Sequence, residues 1–229
     1  LAVFTIADLH LSLGASKPMD IFTGWENYEK RIEKNWRETV SEEDTIIIPG
    51  DISWAMSLEQ GRPDFAFLHS LPGQKVLMKG NHDYWWNTRS KIEGFFKENG
   101  FDSLHILHNS FYETEELALA GSRGWFFDDP QDDSKVLLRE AGRLRTSITM
   151  AKTSGKEVIA FLHYPPVYNQ NECEEIMNVL TENDIRRCYY GHIHGEGSKW
   201  AVNGLYKGID FHLIAGDFIG FCPVIINKL

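Results

Sequence analysis

The chain has 229 residues, 42% of them hydrophobic and 24% charged, a balance that supports one sizeable core and a single domain over residues 1–229. Its net charge of −10 excludes a general phosphate-backbone binder, which carries a basic stripe, so no stable nucleic-acid complex is expected. The longest apolar runs, such as Val158-Ile159-Ala160-Phe161-Leu162, are strand-sized and far short of the roughly 20 residues of a membrane helix, so no membrane association is expected.

In chain order, the apolar run from Leu1 to Ala7 predicts a buried strand that delivers Asp8 and His10 to its end. A spacing of two puts both side chains on one side of an extended chain. Residues 12–24 read as a loop, and residues 26–40 as a helix with Tyr28, Ile32, Trp36 and Val40 on one face. Thr45 to Ile48 is a second strand, ending in Pro49-Gly50-Asp51. A helix over 57–70 is expected, interrupted at Gly61 and Pro63. The strand from Lys75 to Lys79 ends in Gly80-Asn81-His82-Asp83, and a helix over 88–99 follows, with Thr88 as N-cap and Gly100 as its stop. Short β segments are predicted at 104–107 and 116–120, then a loop over 121–127 and a long helix over 132–153. The strand at 157–162 delivers His163. A helix over 172–182 and a strand over 187–190 lead to Gly191-His192-Ile193-His194-Gly195, and short β runs with Gly-rich turns close the chain. Strand–helix alternation mixed with β-only stretches argues for a sheet-based α/β core rather than a pure doubly wound sheet.

Five strand ends therefore carry metal-capable groups: Asp8 and His10, Asp51, Asn81 with His82, His163, and His192 with His194. Strand C-terminal ends in α/β proteins converge on one crevice. Carboxylates, imidazoles and an amide without thiolate suit Mn, Fe, Co or Zn, and they outnumber what one open catalytic ion takes, so two divalent ions sharing a carboxylate are expected. Asp51 suits the shared position because each of its oxygens can take an ion. Neutral Asn81 donates a carbonyl without adding negative charge. His82 and Asp83 are the catalytic candidates, His82 to protonate the leaving oxygen or bind phosphate and Asp83 to orient its imidazole. His69, His105, His108 and His212 fall in no block and are assigned ordinary packing or surface roles, and Asp217 is read as structural. The scattered Cys173, Cys188 and Cys222 point to inert thiols in a reducing, cytoplasmic setting.

Asp8-x-His10, Gly50-Asp51, Gly80-Asn81-His82-Asp83, a lone His163 and Gly191-His192-x-His194 resemble, in order, the motifs of the calcineurin-like metallophosphoesterase superfamily. The resemblance implies an α/β fold of four layers (αββα), two mixed sheets flanked by helices. It also implies Asp8, His10 and His194 on a first ion, Asn81, His163 and His192 on a second, and Asp51 bridging. The expected activity is phosphate-ester hydrolysis by in-line attack of a metal-bridging hydroxide on a small phosphorylated substrate, with manganese the favoured ion. The protein serine/threonine phosphatases of this superfamily extend the second block with an arginine, whereas here Ile52-Ser53-Trp54-Ala55 follows Asp51. That departure favours a phosphodiester or nucleotide-type substrate over the alternative of a phosphomonoesterase or protein phosphatase. A non-catalytic metal-binding scaffold is the second alternative. Trp54, Trp85 and Trp125 are candidate stacking surfaces for a base, and Arg123 is the candidate phosphate contact.

Overall fold

The protein is described by a computed structural model over residues 1–125 and 134–227. Phe126 and Phe127 of the expected loop, and Asp132 and Asp133 of the expected long helix, lie outside the described residues. The first half of the chain alternates strand and helix: β1 (Val3–Thr5), α1 (Tyr28–Thr39), β2 (Thr45–Pro49), α2 (Leu58–Ser70), β3 (Gln74–Met78), α3 (Arg89–Glu98) and β4 (Leu104–Ile106). There follow β5 (Phe111–Glu113), β6 (Leu117–Ser122), α4 (Ser134–Lys152), β7 (Glu157–Leu162), the hairpin β8 (Val167–Tyr168) and β9 (Asn171–Glu172), α5 (Glu174–Glu182) and β10 (Arg187–Tyr190). A 3-10 helix at Gly195–Trp200 and the strands β11 (Gly204–Tyr206), β12 (Ile209–Leu213) and β13 (Val224–Ile225) complete the described chain.

Two mixed sheets result. One is five-stranded in the order β13-β1-β2-β3-β4, parallel throughout except for β13. The other is six-stranded in the order β11-β12-β10-β7-β6-β5, with parallel inner strands and antiparallel β5 and β11 at its edges. Strand periodicity sorts the apolar side chains into three layers of core. Within β2, Ile47 faces the other sheet while Ile46 and Ile48 face α1, α2 and α3, where they meet Trp36, Phe65 and Phe96. Within β7, Ile159 and Phe161 face the first sheet while Ala160 and Leu162 meet Leu144 and Ile148 of α4 and Ile176 of α5. Helix, sheet, sheet and helix are thus stacked as the four expected layers.

The α1 face behaves as its spacing predicts, with Tyr28, Ile32 and Trp36 buried. The expected interruption of α2 does not occur. Pro63 sits inside a continuous helix because the carbonyl it leaves without a donor belongs to Glu59, in the exposed first turn where water reaches it. Ser57 caps that turn by accepting from the Gln60 N–H at 3.3 Å. Thr88 precedes α3 but makes no side-chain cap. The β8–β9 hairpin, foreseen by no apolar run, turns through Asn169 and Gln170, both left-handed with φ of 46° and 67°. Cys173, Cys188 and Cys222 are free thiols, and burial pushes Cys173 up to about 11, which keeps it protonated.

Lys75 of β3 is fully buried in this scaffold. Its ammonium donates to the carbonyls of Leu71 and Gly73 and to the Ser103 hydroxyl, tying the turn before β3 to the turn before β4. Burial lowers its pKa from 10.5 to about 8. Between those values the unfolded chain binds the proton that the folded chain releases, so stability rises with pH; the gain is complete above 10.5 and lost as pH falls through 8. Urea titrations of wild type and Lys75→Met should show a difference in unfolding free energy that climbs by about 3 kcal/mol across this window. A flat difference would mean that the ammonium titrates as it does in water.

Candidate metal centre

The two sheets meet at one edge, and the ligand blocks lie on that seam. Ala7, just after β1, pairs with Ala215, just after β12, its N–H donating to the Ile214 carbonyl and its carbonyl accepting from the Gly216 N–H, both at 2.9 Å. The next N–H, that of Asp8, donates to the Gly50 carbonyl at 3.1 Å, and the N–H of His10 to the Asp51 carbonyl at 2.9 Å. On the other sheet the Gly191 N–H donates to the His163 carbonyl at 3.1 Å. Asp8, His10, Asp51 and His192 all adopt left-handed backbone, with φ of 59°, 44°, 51° and 72°. Such strain in non-glycine residues persists only where the surroundings over-determine it. Glycine is required where the blocks touch: a side chain at Gly80 would strike the Asp51 carboxylate, and one at Gly191 the Asp8 carboxylate.

Two sets of donors result. Asp8, His10 and His194 present ligand atoms within 4.8 Å of one another, and Asp51, His163 and His192 do the same. Asn81 joins the second set, its Oδ1 lying 2.6 Å from His163 Nε2 and 3.0 Å from His192 Nδ1. Asp51 faces both, with Oδ2 3.6 Å from His10 Nε2 and Oδ1 3.6 Å from His163 Nε2. Asp8, His10, Asp51 and His163 are buried, whereas Asn81, His192 and His194 are half-exposed and open the centre to solvent on one side.

These residues fit divalent cations. Asp8 Oδ1 is buried without a hydrogen-bond partner, although its sister oxygen accepts from the His192 N–H at 2.8 Å. His10 Nε2 and His194 Nε2 point at one another across 3.4 Å, an arrangement a shared cation explains. Three of the four imidazoles are held in the neutral form that metal ligation needs. Burial, reinforced by the neighbouring histidines, holds His10 well below its ordinary value. Burial also lowers His163 to about 3, against the opposing hydrogen bond to Pro49, and lowers His192 to about 3 with help from His163. Burial opposes a charge on His194 as well, but Asp8 and Asp217 override it and raise that imidazole to about 10. In the absence of a cation, His194 is thus the charged imidazole of the cluster. Burial, then Asp8 and Asp83, pushes Asp51 well above the carboxylate range.

The remaining candidates divide. His82 stands half-exposed beside the centre, its ring 5.7 Å from that of His10 and 4.4 Å from that of Trp54, with Nδ1 3.3 Å from the Tyr84 hydroxyl. Asp83 does not orient it. The Asp83 carboxylate is fully buried and accepts from the N–H groups of Gly80, Asp51, Ile52 and Ser53, at 2.7 to 3.2 Å, and from Trp85 Nε1 at 2.9 Å. With both oxygens saturated, it clamps the second block to the third. Trp85 is 2% exposed and offers no stacking surface. Trp54 lies at the site but stacks on His10 at 4.9 Å, with Lys17 Nζ 4.0 Å above its ring. Trp125 packs against the core on the α4 side, outside the ligand sets. Arg123 is held near the second set by its backbone, which accepts from the His163 and Tyr164 N–H groups, but its guanidinium is turned toward Glu140 of α4.

Two contributors escaped the sequence reading. Asp217 Oδ1 meets His194 Nδ1 at 2.8 Å and Oδ2 accepts from the Gly195 N–H at 2.9 Å, so it fixes the ligand's ring. Its place at the end of a strand-and-Gly run was the available signal. Asp64 of α2 accepts from the Leu13 N–H at 2.8 Å and from the Ser53 hydroxyl, anchoring the loops after the first two blocks. Nothing in its helical context announced that role.

A crevice of oxygen and imidazole donors at strand ends between two sheets defines a metal-dependent phosphoesterase. Residues 1–196 match the model of the calcineurin-like phosphoesterase family, and the chain belongs to that family. No curated protein matches it in sequence. Among solved structures, phosphopantetheinyl hydrolase from Mycobacterium tuberculosis is similar at 11% identity and a TM-score of 0.58, covering 100% of this chain and 96% of that one. A protein of unknown function from Aquifex aeolicus is similar at 17% identity and a TM-score of 0.52, over 98% of this chain and 95% of that one. A Thermus thermophilus protein, TT1561, shares 12% identity at a TM-score of 0.57, over 84% of this chain and 81% of that one. These likenesses are of fold. Among the described residues, no helix is long and apolar enough to cross a membrane.

Two substitutions separate the clamp from the ligand support. Asp83→Asn leaves buried N–H groups without acceptors and should lower unfolding stability by about 3 kcal/mol, seen as a reduced urea midpoint. Normal stability with reduced turnover would restore the orienting role. Asp217→Asn should weaken divalent-metal affinity about 10- to 100-fold in equilibrium dialysis, with folding little changed.

Proposed function

We propose that this chain hydrolyses a phosphodiester or nucleotide-type phosphate ester in the cytoplasm, using two divalent ions of which manganese is favoured. The observation that carries the reading is Asp51, which turns one carboxylate oxygen to each donor set. Asp8, His10 and His194 would hold one ion, Asn81, His163 and His192 the other, and Asp51 would be shared. Bound there, the pair would supply Lewis-acid polarisation of phosphoryl oxygens and a water acidified to act as nucleophile. The oxygen- and imidazole-rich, thiolate-free donor set supports first-row divalent ions, manganese, iron, cobalt and zinc among them.

The chain's own residues do the rest. The buried side of the centre excludes water, while half-exposed Asn81, His192 and His194 face the entering substrate. His82 is free at its Nε2 edge to give a hydrogen bond or proton to the leaving oxygen, and its backbone N–H steadies Asp51 at 2.8 Å. Lys17 adds a cation at the mouth, over Trp54, where an anionic substrate arrives. The position after Asp51 holds buried Ile52 instead of an arginine, which supports a diester over the highly charged monoester. The net charge of −10 supports a small phosphorylated substrate over a nucleic-acid polymer.

With Mn²⁺, bis-p-nitrophenyl phosphate should be cleaved with a higher kcat/KM than p-nitrophenyl phosphate. The reverse order would favour the monoesterase reading, and no turnover of either would favour a scaffold. His82→Ala should lower kcat about a hundredfold or more with bound metal unchanged. Full activity in that variant would remove His82 from the chemistry.

A further inference from the structure

Beside the Asn81 side of the centre lies a separate cavity of about 310 Å³, floored by the ends of β3 and β6 and walled by α4. In a chain of net charge −10 its described lining is basic: Lys79, Arg123, Arg139 and Arg143, with His108 and, among the described residues, a single carboxylate, Glu140. Arg139 and Arg143, four apart, share one face of α4. Glu140 is 2% exposed and already paired, to Arg143 at 2.6 Å and to Arg123 at 3.9 Å. Among the described residues one negative charge therefore faces four positive ones, and Arg123 Nε is buried with no hydrogen-bond partner. Burial first, then the charges of Arg143, Lys79 and Arg89, lower the His108 pKa.

Concentrated like charge in a concave site is costly unless an anion neutralises it. Arginine forks and a lysine point charge are the groups that hold phosphate oxygens. The volume is about ten times a water's share of the liquid, enough for a phosphate or pyrophosphate and some of its hydration. The cavity also adjoins the reacting centre. Lys79 is two residues before Asn81, and the Arg123 guanidinium lies 5.7 Å from the Tyr164 ring, itself 4.5 Å from the ring of His192.

We propose that this cavity is a subsite for a second phosphate of the substrate, so that the enzyme prefers phosphate esters carrying another phosphoryl group beyond the one attacked. This rests on the hydrolase reading above and narrows its substrate class. Arg123 serves here as a specificity contact for the distal phosphate and not as a ligand of the scissile one.

Two diesters that differ only by the second phosphate test it: thymidine 5′-(p-nitrophenyl phosphate) and its 3′-phosphorylated form, each with the Mn²⁺-loaded enzyme. The wild type should favour the 3′-phosphorylated diester, through KM, by about tenfold or more. That preference should fall about threefold in Arg139→Gln, whose exposed side chain makes the variant safe to fold, and be lost in Lys79→Gln/Arg139→Gln. Equal kcat/KM for the two diesters in the wild type, or a preference that survives in the double variant, overturns the subsite. If neither diester is turned over, the diesterase reading fails, and calorimetry of the chain as purified with pyrophosphate then decides the subsite separately. Binding about tenfold weaker in Arg139→Gln supports it, and equal or absent binding overturns it.

Discussion

The metal centre depends on two sheets being stitched together at one edge. Sheets stacked face to face share an apolar layer but hold their strand ends apart, and the polar groups at those ends are drawn together where backbone bonds cross the gap. Ala7 supplies that crossing, with one bond out to Ile214 and one back from Gly216. From there Asp8 reaches across to the His192 N–H, and the Gly191 N–H reaches the His163 carbonyl. Gly80 and Gly191 are what permit this closeness, since a side chain at either would occupy the space of the Asp51 or Asp8 carboxylate.

The cost of the arrangement is met by buried carboxylates that are not ligands. Four donor residues sit in left-handed backbone, and two carboxylates lie buried among imidazoles. Such a cluster is stable only if the loops bearing it have no alternative conformation. Asp83 removes alternatives for the second and third blocks by occupying four backbone N–H groups, Asp64 does so for the loops after the first two, and Asp217 fixes the His194 ring. A carboxylate can do this because it accepts several hydrogen bonds at once and gains charge-assisted strength from each.

Charge is distributed unevenly around this centre. The chain as a whole is acidic, yet Lys17 stands at the mouth and a basic cavity lies to one side. The neutral imidazoles and the amide of Asn81 limit the negative charge that the donor sets present. Cations therefore stand beside the donor sets within a chain that is acidic as a whole.

Much of this was legible in the sequence for local reasons. Apolar runs ending in Asp8, Asp51, Asn81 and His163 marked strands and their ends, and the Tyr28, Ile32 and Trp36 spacing marked the buried face of α1, because both signals depend on near neighbours in the chain. The donor types alone pointed to oxygen- and nitrogen-loving ions. What residue types could not reveal was partnership. Asp83, next to His82 in sequence, turns away to backbone N–H groups about thirty residues distant, and Trp85 follows it into the core. Asp217 and Asp64 gain their roles from contacts 23 and 51 residues away. Arg123 has its backbone at the metal centre and its side chain in another cavity. Local sequence determines which groups arrive at a strand's end; only the packing of the two sheets decides which way each side chain turns, because its hydrogen-bond partners come from elsewhere in the chain.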